Sequence, residues 1–268
     1  MDPGLRTPLL DFFRRGEVDR DIRLLAAQGA LAPRAHEQLA LLMLLVGEGD
    51  AEIAAAAEAT LGAIPRGSLE SFLSRSDVTP QMRTFFAGRG IEPSGTPTED
   101  DTPMIEVADA ALADPEPLPE LDAPPGEETE EARRASVTQK IARMTVAQRM
   151  NLAMKGSREE RSILVRDPNK LVSTSVLSSP KMTETEIESI AKMGSVSEDI
   201  LRIIGNTRAW VKNYNVALAL TRNPKTPVAM SMNLLSRLTD SDLRQLSANR
   251  NVPEILRVTA RKKIVIEK

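Results

Sequence analysis

RDPNKLVSTSVLSSPKMTETEIESIAKMGSVSE (166–198) and RNPKTPVAMSMNLLSRLTDSDLRQLSANRNVPE (222–254) overlay when the chain is shifted by 56 residues. Arg166 meets Arg222, Pro168 meets Pro224, Val172 meets Val228 and Ser175 meets Ser231. Farther on, Thr183 meets Thr239, Ile187 meets Leu243, Ile190 meets Leu246, Val196 meets Val252 and Glu198 meets Glu254. The matched types are those that start, stop and bury short helices. A proline after Asp167 or Asn223 marks a turn that leads into a helix. Thr183 with Glu186, and Thr239 with Asp242, have the spacing of N-caps reinforced by an acidic third position. The aliphatic pairs recur at helical intervals and supply a core face.

Outward from this repeat, short helices follow one another from about 158 to 265, at 158–165, 170–178, 183–192, 197–205, 209–221, 227–236, 240–248 and 253–265. One pair of helices that short cannot bury both apolar faces, whereas stacked pairs can. The same grammar appears upstream: IPRGSLESFLSRSDVTPQMR (64–83) aligns with LTDSDLRQLSANRNVPEILR (238–257), placing Leu69 on Leu243, Phe72 on Leu246, Val78 on Val252 and Arg83 on Arg257. Asp50 stands as a cap before AEIAAAAEATLGAI, and Gly47 and Gly49 end the helix before it. With aromatic residues at 3% and no cysteine, the apolar content is small and aliphatic, which favours helix on helix and excludes disulfides and thiolate metal sites.

Charge divides the chain in three. Residues 1–90 carry 10 Arg against 12 Asp and Glu, 91–131 carry 14 acids and no base, and 132–268 carry 25 Lys and Arg against 12 acids. The expected organisation is an N-terminal helical domain (1–90), an acidic linker with 8 prolines that stays disordered (91–131), and a basic helical-repeat domain (132–268). Within the linker, Met104–Ile105–Glu106–Val107 is an apolar patch that either docks or rides on a solvated tether; the tether is the plainer expectation. The stretch RRASVTQKIARMTVAQRMNLAM (133–154) is basic and amphipathic, and reads as a cap of the solenoid, a docking helix or a membrane-surface helix without aromatic anchors.

The phrases LVRDPNKLVSTSVLSSPKMTETEI, LTRNPKTPVAM and LSANRNVPEILRVTA resemble units of HEAT-like or leucine-rich-repeat-variant helical solenoids of bacterial proteins. The resemblance covers about 155–265 well and 50–90 loosely. It implies an all-α fold of short stacked helical pairs, an α-solenoid whose concave face binds a protein. Unequal units and the acidic insert depart from a regular array.

Few residues point to chemistry. His36 is the sole histidine and reads as a surface residue at a helix start. No Gly-rich phosphate loop, nucleophile elbow or metal-loop spacing occurs, so the expectation is no catalytic residue, no metal, no cofactor and a non-enzymatic role. Trp210 and Tyr214 are four apart and, on one helix, would share a face with Arg208 and Lys212 beside it; they make either an interface hot spot or a plug between repeat units. Arg166, Arg222 and Arg250 recur at the inter-helix loops and, with Lys170, Arg208 and Lys225, form a candidate basic row. Such a row would take phosphates, an acidic protein, or the chain's own acidic linker. The leading function is a protein-interaction module, an adaptor or scaffold; the alternative is nucleic-acid binding by the basic C-terminal surface. The opening MDPGLRTPLL lacks the order of a secretory leader and no apolar run reaches membrane-spanning length, so a cytoplasmic location is expected.

Overall fold

The computed structural model describes residues 7–105 and 130–266, and they are all-α. The remaining linker residues, 106–129, and with them Glu106 and Val107 of the apolar patch, lie outside the described residues, as does the end of the tail at 267–268. The helices are α1 (Pro8–Arg14), α2 (Arg20–Ala27), α3 (Ala35–Val46), α4 (Ala51–Ala63), α5 (Arg66–Leu73), α6 (Pro80–Ala87), α7 (Glu130–Arg143), α8 (Val146–Lys155) and α9 (Arg158–Leu164). They continue as α10 (Lys170–Leu177), α11 (Glu184–Lys192), α12 (Glu198–Asn206), α13 (Arg208–Val211), α14 (Tyr214–Arg222), α15 (Val228–Leu234), α16 (Asp240–Ala248) and α17 (Glu254–Ile266). Two compact units result: 7–105 with 130–161 and 169–180, and 162–168 with 181–266.

The first unit is organised on two helices buried on nearly every side. In α3 the run from Ala35 to Leu42 is buried together with Leu45, and in α10 every residue from Leu171 to Leu177 is buried. An all-round buried helix has no solvent face and no amphipathic stripe. Helices α1, α2 and α4 pack on α3, and α1 also packs on α10, which carries α8 on another side. Leu9, Leu10 and Phe13 of α1 are all buried. Helices α7, α8 and α10, grouped by charge with the basic C-terminal region, therefore belong to the first unit. Net charge follows solvent-facing side chains, whereas the buried ones of α8 (Ala147, Met150, Ala153, Met154) set where it packs.

α10 tolerates its buried hydroxyls because they bond back to the main chain. Ser175 Oγ donates to Leu171 O at 2.7 Å, and Ser179 Oγ just beyond the helix donates to Met154 O at 2.7 Å. Left unbonded, each such group would cost about 1–3 kcal/mol.

In the second unit α11 packs on α12 and α14, α14 on α15, α15 on α17, and α16 on α17. Successive helical pairs in contact are consistent with solenoid-like stacking. Leu235, Leu238, Leu243, Leu246, Val252, Leu256 and Ala260 form one buried cluster at α16 and α17. Each leucine buried there contributes roughly 1.5–3 kcal/mol. The residues aligned with some of them upstream, Leu69, Phe72 and Val78, are buried in the first unit.

Many helix starts in both units share one feature. The residue just before the cap is buried at Val18, Ile64, Val78, Met144, Val196, Thr226, Leu238 and Val252, which fixes the angle at which the chain enters the helix. Helices α4, α10 and α14 lack it: Gly49, Pro168 and Lys212, before their caps, are exposed. The expected caps form: Asp50 Oδ1 accepts from Glu52 N at 3.0 Å, and Thr183 with Glu186 closes a reciprocal capping box. Thr239 Oγ1 accepts from Asp242 N, but the Asp242 carboxylate does not return to the Thr239 amide. An aspartate is one methylene too short; the Tyr214 hydroxyl takes that N–H at 3.1 Å instead.

Candidate functional site

The second unit carries a cavity of about 620 Å³ between α11 and α14, closed at one end by the loops after α11, α14 and α16. Glu188 and Lys192 come from α11, Asn215, Leu218, Ala219 and Arg222 from α14, and Gly194, Asn223, Pro224 and Asn251 from the loops. Asn223 builds the corner. Its Nδ2 donates to Ala191 O at 2.8 Å and Met193 O at 3.0 Å, the open carbonyls at the end of α11, while its Oδ1 accepts from Lys225 N at 3.0 Å. Asn215 and Asn251 are exposed, and their side-chain amides have no hydrogen-bond partner among the described residues. Lys192 pairs with Glu188 at 2.5 Å.

One network braces the α14 wall. Arg222 donates to Asp242 Oδ1 at 2.9 Å and to Gln245 Oε1 at 2.8 Å. The Tyr214 hydroxyl donates to the other oxygen of Asp242, and Thr239 Oγ1 donates to that oxygen at 2.9 Å. The Tyr214 hydrogen bond is the main cause holding the Asp242 carboxyl below the usual carboxylate range, with Thr239 and the Arg222 charge acting in the same direction. Tyr214 and Arg222, two of the residues singled out from the sequence, thus converge on one carboxylate.

The others do not gather with them. Lys225 Nζ donates to Val196 O at 3.2 Å, at the turn after α11. Arg166, in the turn after α9, is exposed and its Nε bonds Ser162 O of that helix at 3.1 Å. Lys170, the first residue of α10, belongs to the first unit. Arg208, Lys212 and Arg250 are exposed in the second. Trp210 and Tyr214 do not share a helix face. The continuous helix expected over 209–221 breaks at Asn213, whose Oδ1 caps α14 by accepting from Asn215 N at 2.9 Å, leaving Trp210 half-buried on the one-turn α13. Tyr214 is half-buried with its hydroxyl engaged, so it is a brace and not an exposed anchor.

The structure also corrects the reading of His36. It is buried at the start of α3, edge-on to Phe72 with ring centroids 5.9 Å apart. Beside it Glu37 is buried, and loss of hydration raises its pKa above the ordinary carboxylate value. The sequence did not mark this acid as buried, because the helix that hides it is apolar on all sides and carries no stripe from which to place it.

Lys192, Asn215 and Asn251 were not singled out from the sequence. Their one signal is the recurrence of loop asparagines: Asn169, Asn213, Asn223 and Asn249 each accept from the amide two residues on. Among the described residues no cluster of three or more His, Asp or Glu could hold a metal ion, and no helix is long and apolar enough to cross a membrane. No protein-family model matches the chain, and neither a curated protein nor a solved structure matches it.

Proposed function

We propose that the chain is a non-enzymatic protein-interaction module, an adaptor or scaffold of stacked helical pairs, and that the α11–α14 groove takes an extended segment of a partner protein. The observation that carries this reading is the pair of unpartnered amides, Asn215 and Asn251, lining a groove whose corner is fixed by a third asparagine. A side-chain amide offers both a donor and an acceptor, which matches the main chain of an extended peptide whatever its sequence. The resemblance to HEAT-like solenoids agrees with a concave protein-binding face. The nucleic-acid alternative has less support, because Arg222 and Lys225 of the basic row are held by acceptors within the protein and Lys170 belongs to the other unit.

The test is affinity capture with the full chain, with and without nuclease, beside a chain carrying Asn215→Ala and Asn251→Ala. A protein retained after nuclease and lost with the double variant supports the groove. Capture that disappears with nuclease moves the function to polyanion binding, and capture indifferent to both treatments removes the groove from it.

A further inference from the structure

The chain after α6 stays on the first unit as a strap. Arg66 donates to Gly90 O, Ser94 N donates to Glu70 O at 3.3 Å, and Ser74 Oγ donates to Ser94 O at 3.3 Å. Residues 92–97 are exposed, and the strap then seats at 100–105. Arg75 donates to Asp100 O at 3.2 Å and lies 3.5 Å from the Asp101 carboxylate. Asp101 reaches the start of α3: its carbonyl accepts from Ala35 N at 2.8 Å and its carboxylate from His36 N at 3.4 Å. The local cap residue, Arg34, makes no side-chain cap, so the positive end of α3 meets its anion from another part of the chain.

Gln38, one turn into the helix, completes the seat. It is 1% exposed. Its Oε1 accepts from Met104 N at 2.7 Å and Ile105 N at 3.1 Å, and its Nε2 donates to Ile105 O at 2.8 Å and Gly29 O at 3.1 Å. Ile105 lies over Gly29, which has φ +88°; a Cβ there would stand 3.5 Å from Ile105 Cγ2 and 3.4 Å from Gln38 Nε2. A buried amide that reads main chain, a bare helix start that reads a carboxylate, and a glycine floor under an aliphatic side chain are together the parts of a peptide site.

We propose that this seat is a docking site for an extended peptide of the pattern Asp-x-x-Met-Ile, or one close to it, carried by a partner protein, and that residues 100–105 occupy it in cis. The occupant defines the chemistry. The α3 N-terminus selects an acid at the first position, with Arg75, itself paired to Asp77, 3.5 Å away. Ile105 against Gly29 marks an aliphatic side chain at the fifth, and Gln38 reads the main chain of the last two. Met104 and Ile105 are only half-buried, so the contact is small and its tether sustains it, at an effective concentration on the order of millimolar. A partner segment displaces the strap when it adds contacts of its own beyond these. The seat belongs to the first unit and stands independently of the groove in the second.

A fluorescent peptide of residues 98–105 tests the proposal against the full chain and a chain lacking 98–105. The deleted chain should bind it one to one and the intact chain about tenfold more weakly or less, because the tethered strap competes. Binding should vanish with Gln38→Ala in the deleted chain, or with alanine for Asp101 in the peptide. A deleted chain with unchanged helix content that ignores the peptide overturns the proposal. If the deletion unfolds the protein, amide hydrogen exchange of the intact chain decides: millimolar peptide should speed exchange at Met104 and Ile105 several-fold, and unchanged exchange overturns the proposal. An intact chain that runs as a dimer swapping straps overturns the partner reading in favour of a second copy.

Discussion

At the start of α16 every contact described comes from within 28 residues, whereas α3 is capped by a carboxylate 65 residues away. Thr239 caps α16 from the adjoining position, Asp242 stands one turn in, and Tyr214 from the neighbouring helix bridges the two. Around α3 the cap, the salt bridge and the amide clamp all come from the strap. The first arrangement needs only the next helical pair to be in place. The second ties a helix to a segment that, by composition, belongs to a linker. A concave surface can therefore be held open by local braces, as along α14, or be filled by the chain itself, as at α3.

The sharpest way to break this contrast is Gln38→Leu, which keeps the bulk of the side chain and strips two strap amides and two carbonyls of their partner. Unfolding free energy in urea should fall by about 2–4 kcal/mol, with slow exchange lost at Met104 and Ile105. A loss below about 1 kcal/mol would mean that water replaces the amide and that the strap is only resting there.

Tyr214→Phe applies the same removal to the local cap and should cost about 1–2 kcal/mol by thermal or chemical denaturation. It also carries a pH signature. Asp242 is held below its ordinary value, so its stabilising contribution is present above the unfolded-state pKa and is lost as pH falls through the lower folded-state value. In the variant that acid loss should be smaller and should be complete at a higher pH, because only the folded-state value moves back toward the ordinary one. An identical acid limb in both proteins would show that the hydroxyl does not govern Asp242.

Glu37→Gln should act in the opposite direction and by less. Burial raises the Glu37 pKa, so the folded chain prefers the protonated form, and ionisation destabilises it as pH rises through that raised value. The amide removes this penalty. The midpoint of thermal unfolding should rise near neutral pH, and the gain should shrink to nothing in acid. A drop at neutral pH would mean that the bond to Thr7 and the nearby Arg34 outweigh the lost hydration. The smallest effect belongs to Ile255→Ser on α17. Ile255 is 56% exposed, so the change should stay within about 0.5 kcal/mol of zero. A larger loss in the isolated protein would reveal that something covers that face.

What could be read from the sequence was what its neighbours decide. Asp50, Thr183 with Glu186, and the stop at Gly47 are settled by residues within one turn, and each forms as expected. Of the aliphatic pairs of the 56-residue shift, Ile187 with Leu243, Ile190 with Leu246 and Val196 with Val252 are buried, whereas Val228, aligned with the buried Val172, is exposed. The site was legible only in part. Arg222 was found because arginine at a repeated loop is conspicuous, but its partner Asp242 was read only as a cap. The strap was hidden by its composition, since acids and prolines describe a segment that cannot fold alone. They do not describe one that borrows hydrogen bonds from a buried glutamine. Asn213 splits the helix expected over 209–221 by an interaction as local as the others, because an asparagine side chain that bonds the amide two residues on competes with helix continuation at that position.

The strap also imposes an order of events during synthesis. Residue 36 is made 65 residues before residue 101, an interval of about 3–13 s at ordinary rates of translation. Through that interval the start of α3 lacks its carboxylate and Gln38 keeps only its bond to Gly29 O. A nascent chain is thus a state in which the seat is vacant, and whatever meets the chain at the ribosome encounters this surface before the strap is made.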